Sequence, residues 1–219
     1  MDRLFELQGE FWVAAVETLY MVALTLLIGG FAGLVLGTVL YTTRPGSLLS
    51  NRGVYNVVNV VINFFRPIPF IIFIAAVQPL SRLVIGTGIG NNALIFALSL
   101  AASFAIARIV EQNLLTVSPG VIEAARSMGA GPLRILLTIV IPEALGPLIL
   151  GYTFVLVAIV DMTAVAGLVG GGGLGTFAQV YGYRQFEPVI TWAAVVLIVV
   201  FVQAVQFLGN WLARRALRR

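Results

Sequence analysis

The segment Glu123-Ala124-Ala125-Arg126-Ser127-Met128-Gly129, followed thirteen residues later by Pro142, is a polar interruption between long apolar segments. The residues around it predict a short helix. Ser118 suits the N-cap, and Pro119 suits the first helical position, where its missing N–H is not needed. Gly129 suits a left-handed position that ends the helix, because glycine adopts positive φ without steric cost.

A second short helix is predicted to begin at Gly131-Pro132. Its apolar run, from Leu133 to Val140, is expected to end before Pro142, because proline breaks the helical hydrogen-bond ladder and restricts the residue before it. Two short helices joined by a turn would form a helix-turn-helix knob on the face of a membrane.

The overall composition indicates that the rest of the chain lies in that membrane. The 219 residues are 60% apolar and 10% charged, whereas a soluble domain carries about 25% charged residues. We therefore expect one all-α integral membrane domain over residues 1–219. A cleavable signal peptide is not expected, because Asp2, Glu6 and Glu10 stand where such a segment needs basic residues.

The absent residue types exclude several kinds of chemistry. The sequence contains no Cys, no His and no Lys, which removes thiolate chemistry, the usual general base, the commonest zinc ligand and the Schiff-base amine. We predict no catalytic site and no metal site in this chain. The net charge of +4 does not indicate nucleic-acid binding, because most of the arginines lie between or beyond the apolar segments.

Five apolar stretches are long enough to cross a bilayer, which takes about 20 residues. We place them at 12–41, 56–80, 92–115, 147–169 and 189–211. The first contains Gly29, Gly33 and Gly37 at four-residue spacing, so all three lie on one helix face and favour a close contact with another helix.

The distribution of arginine predicts the orientation of the spans, since cytoplasmic loops are enriched in basic residues. One side holds eight arginines: Arg44, Arg52, Arg126, Arg134, Arg214, Arg215, Arg218 and Arg219. The other side holds three: Arg3, Arg82 and Arg184. We therefore predict the N-terminus outside and the C-terminus inside, with the Glu123 loop in the cytoplasm.

Arg66 lies in the second span, within Phe64-Phe65-Arg66-Pro67-Ile68-Pro69-Phe70. In one interpretation this permanent charge attracts a carboxylate or pairs with an acid. In the other, Arg66 reaches the cytoplasmic headgroups and the two prolines only kink the span. In the third span, Arg108 and Glu111 stand one turn apart, and an i,i+3 ion pair explains them without a function.

Asp161 lies inside the apolar fourth span, near the predicted middle of the bilayer. A carboxylate there costs about 3 kcal/mol on insertion scales and therefore needs a cavity or a partner. One hypothesis is that Asp161 lines a translocation path and meets a cationic group, such as the ammonium of an amino acid. The other is that it is a structural acid, either protonated or paired with an arginine of another span.

The segment 167–175 contains six glycines in nine residues. Gly170, Gly172 and Gly175 match the dinucleotide pattern G-x-G-x-x-G, but a membrane span precedes them instead of a strand, so we reject nucleotide binding. The glycines instead predict a helix end that bends or that approaches another backbone closely.

The loop pattern, E-A-A, three residues, Gly, nine residues, I-x-I-P, resembles the coupling loop of permease subunits in ABC importers. In that family the loop docks on a cytoplasmic ATPase, and the resemblance implies this role for Glu123, Ala124, Ala125, Met128, Gly129 and Pro142. The family usually has Leu where this chain has Ile141. ATP and Mg would then be bound by the partner ATPase, and no cofactor by this chain.

The resemblance extends along nearly the whole chain to methionine-type permeases with the type I importer fold, through Thr43-Arg44-Pro45-Gly46, Arg66 to Phe70, Gly86-Thr87 and the glycine segment with Tyr181-Gly182-Tyr183. It implies a homodimer in the bacterial cytoplasmic membrane, two ATPase subunits, a periplasmic or lipid-anchored substrate-binding protein, contact with membrane lipid and an amino-acid substrate, with methionine as the first expectation. It also implies gate-side glycines at Gly170, Gly173 and Gly175. The implied substrate path contains Arg66, Asp161, Met162, Thr163 and Val165.

Two alternatives stay open at this point. The residues at Asp161 and Val165 depart from the family, which would fit a permease for a different amino acid or small solute. An ion-coupled secondary transporter would use Asp161 as its coupling acid, although such folds usually have more spans and repeated halves.

Overall fold

The computed structural model of the protein describes residues 2–217, and the regular structure in that range is entirely helical. The α-helices in chain order are α1 (Asp2–Glu6), α2 (Gln8–Thr43), α3 (Arg52–Phe65), α4 (Phe70–Ile85), α5 (Gly90–Leu114), α6 (Pro119–Ser127), α7 (Pro132–Ile135), α8 (Ile141–Glu143), α9 (Leu145–Thr163), α10 (Leu174–Phe177) and α11 (Pro188–Leu217). Two π turns, Leu136–Val140 and Ala178–Tyr183, and a 3₁₀ turn, Ala166–Val169, lie between them. Within the described range, four helices are long and apolar enough to cross a membrane, and the number is five if the bent pair α3–α4 is one broken span.

The glycine face predicted in the first span packs directly on α5. A Cβ at Gly29 would lie 2.6 Å from the carbonyl oxygen of Ser99, and one at Gly33 would lie 2.6 Å from the Cβ of Ile106. A Cβ at Gly37 would also collide with α5, at Ala107. The prediction of a close helix–helix contact is therefore confirmed, and α2 and α5 form the spine of the bundle.

Replacing Gly33 with alanine should lower the thermal unfolding temperature of the detergent-purified protein. The new methyl group overpacks the α2–α5 contact, which costs about 1–3 kcal/mol. Gly9→Ala is the matched control, because Gly9 lies in the same helix with no atom within 4 Å of the Cβ position. Equal unfolding temperatures for the two variants would contradict this account of the spine.

The predicted second span, 56–80, is not one straight helix. It consists of α3 and α4, whose axes differ by 116° across a break that contains Pro67 and Pro69. The two prolines account for the break, since neither can donate to the helical ladder. Phe65, at the end of α3, stacks on Phe104 with ring centroids 5.1 Å apart, and Phe104 lies near the middle of the 25-residue α5. The break therefore lies beside the middle of a spanning helix.

The prediction that the helix ends before Pro142 is wrong. The chain stays helical from Pro132 through the π turn Leu136–Val140 to Glu143. In the π turn the N–H of Ile141 donates to the carbonyl of Leu136. The wider turn accommodates Pro142, because proline has no N–H to donate to an α-helical hydrogen bond.

The predicted fourth span, 147–169, is too long at its C-terminal end. Helix α9 ends at Thr163, and a 3₁₀ turn closed by Gly170 in the left-handed conformation (φ +69°) leads to the glycine segment. The predicted spans 12–41, 92–115 and 189–211 correspond to α2, α5 and α11, which begin and end within a few residues of the predictions except at the C-terminal end of α11.

Candidate functional site

Helix α6 is the first of the two helices predicted to form the knob, and its ends are shaped by local sequence. Pro119 occupies its first turn and Ser118 its N-cap position, but the Ser118 side chain makes no capping hydrogen bond. The other end is a complete Schellman motif around Gly129, whose φ is +80°. The N–H of Gly129 donates to the carbonyl of Arg126 at 2.9 Å, and the N–H of Ala130 donates to that of Ala125 at 3.1 Å.

The two alanines of α6 have opposite environments. Ala125 is 1% exposed and belongs to the main hydrophobic core, whereas Ala124 is exposed. Glu123 is also exposed, and the side chain of Met128 is 80% exposed. One face of α6 is thus anchored to the bundle, and the other presents a carboxylate, a methyl group and a flexible thioether to the surroundings.

The loop after α2 lies beside α6. A cleft of about 340 Å³ is lined on one side by Arg44 and Ser47 and on the other by Glu123 and Arg126. Its walls come from two loops that both carry arginine, so these loops lie at the same end of the bundle.

The structure places Arg66 in the turn after α3, with an exposed side chain. Asp161 lies in the last turn of α9 and is also exposed. Within the described part of the chain, neither makes an ion pair. Among residues 2–217, Asp161 therefore has no arginine partner from another span.

The other predicted path residues are more buried. Thr163 is 3% exposed, and its hydroxyl donates to the carbonyl of Val160 at 2.6 Å. Met162 packs against the core cluster that contains Leu94 and Leu98. Val165 is half-buried at the start of the 3₁₀ turn. Met162, Thr163 and Val165 are thus more buried than Asp161, which is exposed.

The glycine segment has the close approaches that its composition predicts. Gly170 and Gly173 have positive φ, at +69° and +90°. A side chain at Gly175 would overlap the backbone of Ala164, so the segment folds back on the end of α9. A cavity of about 480 Å³ lies between this segment and α2, with Glu10 and Glu17 among its lining residues.

Glu17 and Asn91 hold the glycine segment to the bundle, and the sequence-based interpretation did not identify either residue. The N–H of Gly173 donates to Oε2 of Glu17 at 2.8 Å, and the N–H of Gly172 donates to Oδ1 of Asn91 at 2.7 Å. Asn91 Nδ2 in turn donates to Oε1 of Glu17 at 3.2 Å. We call these two side chains the glycine clamp. An acid inside the apolar run 12–41 was the available signal for Glu17.

Replacing Glu17 with alanine should speed amide hydrogen exchange at Gly173 by roughly tenfold, because a hydrogen bond to a charged acceptor stabilises by about 1.5–3 kcal/mol. Glu17→Gln keeps one side-chain oxygen and should give a smaller increase. Glu10→Ala is the control, since Glu10 is an exposed carboxylate on the same cavity. Unchanged exchange in Glu17→Ala, measured by mass spectrometry, would contradict the clamp.

The predicted i,i+3 pair of Arg108 and Glu111 is confirmed, with a 2.5 Å distance between Nη1 and Oε2. It is more than a surface pair, because Glu111 is 3% exposed. Nη2 of Arg108 also donates to the side-chain oxygens of Asn59 at 2.7 Å and Asn63 at 2.8 Å. The pair therefore joins α5 to α3.

Comparison with known sequences gives a consistent set of relatives. A family model described as "Binding-protein-dependent transport system inner membrane component" matches residues 29–218. The chain is 41% identical to the probable D-methionine transport system permease protein MetI of Vibrio cholerae, over 91% of this chain and 88% of that protein. It is also 41% identical to the methionine import system permease protein MetP of Bacillus subtilis, over 92% of this chain and 90% of that protein.

Comparison with solved structures gives a similar fold. A chain from a structure described as inward-facing conformations of the MetNI methionine ABC transporter superposes with a TM-score of 0.92 at 37% identity, covering 96% of this chain and 98% of that one. A chain from the crystal structure of an amino acid ABC transporter with histidines superposes with a TM-score of 0.78 at 21% identity, which shows a shared fold.

Proposed function

This chain belongs to the family of binding-protein-dependent transport system inner membrane components, and on that premise we propose that it is the permease subunit of an ATP-driven importer that takes up methionine. The relatives named as methionine permeases match along most of the chain, and the related solved structure is a methionine ABC transporter. We treat residues 1–219 as one permease domain in the bacterial cytoplasmic membrane.

The observation that carries this proposal is the construction of α6. A coupling element must be stiff, anchored in the bundle and open to a partner. The Schellman motif at Gly129 and the buried Ala125 supply the first two properties. The exposed Glu123, Ala124 and Met128 supply the third. Pro142 lies at the far end of the same helical connection, where force on α6 is passed towards α9.

We orient the chain with the N-terminus outside and the C-terminus in the cytoplasm. The cleft beside α6 supports this, because it brings two of the arginine-bearing loops to one end of the bundle. Arg3 donates to Glu187 at 3.3 Å, so the N-terminal helix and the loop before α11 share an end as well. In this orientation α6 meets a cytoplasmic ATPase, and the glycine segment meets the outer side.

A homodimer completes the path. Arg66 and Asp161 are charged, exposed and without an ion-pair partner in the described chain, which is costly for groups that face lipid. A two-fold axis that places a second copy opposite these faces would enclose them in a hydrated route. We propose that the substrate passes there, with Asp161 receiving its ammonium group and Met162, Thr163 and Val165 shaping the wall.

The motor is the partner ATPase, which binds ATP and Mg. ATP binds the closed ATPase pair better than the open one, and this difference in affinity shifts the permease from inward-facing to outward-facing. The permease hydrolyses nothing. A substrate-binding protein, periplasmic or lipid-anchored, delivers methionine to the outer side, where Gly170, Gly173 and Gly175 form part of the gate.

The test is uptake of labelled methionine into vesicles that contain this chain, its ATPase and its binding protein. We expect uptake to require ATP inside the vesicle and to persist when ion gradients are collapsed. Uptake that continues without ATP and stops with the ion gradient would instead establish a secondary transporter that uses Asp161. Strong uptake of another amino acid with no competition by methionine would keep the permease but change its substrate.

A further inference from the structure

Helix α3 has three distinct faces. Tyr55, Val58, Ile62 and Phe65 pack towards the bundle, where Ile62 is fully buried beside Leu40 and Ala107. A second face is apolar and exposed, with Val57, Val60 and Phe64 each about two-thirds exposed. A helix that needed only a core face and a lipid face would be complete with these two.

The third face is polar along its whole length. Its members are Arg52, Asn56, Asn59, Asn63 and Arg66. Their spacing of four, three, four and three residues keeps them within an arc of about 80° at about 100° per residue. We call this face the polar stripe.

The polar stripe runs from one end of the bundle to its middle. Arg52 begins α3 next to the loop that shares a cleft with α6. Arg66 follows Phe65, whose ring stacks on Phe104 near the middle of α5. In the proposed orientation the stripe therefore covers the cytoplasmic half of the membrane.

Lipid cannot be what this face meets, because a side-chain amide in hydrocarbon has no hydrogen-bond partners. The amides are only partly satisfied within the chain. Asn63 donates to Asn59 at 3.2 Å, and both oxygens accept from Arg108. Asn56 is exposed and makes no side-chain hydrogen bond within the described chain.

The charges along the stripe favour an anionic group. Glu111 pairs with Arg108 at 2.5 Å, so the middle of the stripe, where Arg108 meets the amides, carries no net charge. Arg52 and Arg66 stand at the two ends and form no ion pair within residues 2–217. A carboxylate on this face would have a guanidinium at each end and hydrogen-bonding amides between them.

We propose that the polar stripe is the hydrated exit track of the transporter, along which the carboxylate of the amino-acid substrate moves from Arg66 towards the cytoplasm. This inference rests on the proposed function for the identity of the substrate. The likeness to an inward-facing structure agrees with a track that is open to the cytoplasm in this conformation.

Introduced cysteines test the track directly, because the natural chain contains none. Asn56→Cys and Asn63→Cys probe the stripe, while Val57→Cys and Val60→Cys, on the exposed apolar face, are the matched controls. Each is assembled with the ATPase and binding protein in inside-out vesicles and treated with a charged, membrane-impermeant thiol reagent. We expect the stripe cysteines to be labelled several-fold faster than the controls, and more slowly in the presence of saturating methionine.

Asn56→Leu, with Val57→Leu as its control, adds a transport measurement. Asn56 makes no side-chain hydrogen bond to residues 2–217, so its replacement breaks none of those bonds. We expect roughly tenfold slower ATP-driven uptake at low methionine concentration, the scale of one hydrogen bond to a charged group.

Stripe cysteines that react no faster than the controls would overturn the track. So would labelling that methionine does not slow, together with unchanged uptake by Asn56→Leu. ATP-driven methionine uptake by the cysteine-free parent is measured first. Absence of that uptake would contradict the proposed function. The difference in labelling rate between stripe and control cysteines does not depend on uptake, so failure of the track and failure of the proposed function can be told apart.

Discussion

Replacing Gly129 with valine should reduce ATP-driven uptake by at least about tenfold while ATP hydrolysis by the partner continues without transport. Gly129 has a φ of +80°, and a β-branched residue in the left-handed region costs about 1–2 kcal/mol or more. Relief of that strain unwinds the Schellman motif, so α6 loses the rigid end that transmits motion. A factor of ten in the coupled step corresponds to about 1.4 kcal/mol.

Gly131→Val is the matched control for this experiment. Gly131 lies two residues away with a φ of −69°, and no atom stands within 4 Å of its Cβ position. Valine fits there, so uptake and coupled hydrolysis should stay close to those of the parent. If Gly129→Val transports as well as Gly131→Val, the motif at Gly129 is not part of the coupling path.

Asp161→Asn should lower uptake at low methionine concentration by roughly 10- to 100-fold. The change preserves size and removes the charge, and a hydrogen bond to an ionised group stabilises by about 1.5–3 kcal/mol. Asp161 is exposed in the last turn of α9. It has no ion-pair partner among the described residues, so the substitution breaks no ion pair there. The loss is therefore expected in substrate affinity, with the protein still folded.

Two measurements separate a path role from a structural role for Asp161. Glu187→Gln removes a half-buried carboxylate near the proposed outer end, together with its surface ion pair to Arg3, and should leave uptake unchanged. The thermal unfolding temperature of Asp161→Asn should match that of the parent. Wild-type rate and affinity in Asp161→Asn would exclude contact with substrate, and a large fall in unfolding temperature would assign Asp161 to structure.

The proposed gate and the proposed exit track involve different parts of the chain. The glycine clamp acts through Glu17 and Asn91 at one end of the bundle, and the polar stripe lies on α3 in the other half. Substitutions in the clamp should change the opening of the outer side, whereas substitutions in the stripe should change release. In the double variant Glu17→Ala/Asn56→Leu, the losses of ATP-driven uptake, expressed as free energies, should therefore be nearly additive. Distant sites with no shared partner act independently.

The sequence by itself determined the features that depend on neighbouring residues or on a simple period. The cap at Gly129, the glycine face of α2 and the pair of Arg108 with Glu111 were all predicted correctly, because each arises within a few residues or from helical spacing. The membrane class followed from composition alone.

Only the tertiary structure decided the 116° bend, the clamp and the meaning of the polar stripe. Glu17 and Gly173 are 156 residues apart, and no local pattern relates them. The same is true of the contact that sets Phe65 on Phe104 and brings Arg66 to the middle of the bundle. Local sequence specifies how a helix begins, ends and divides into faces, whereas packing against distant helices determines what each face meets.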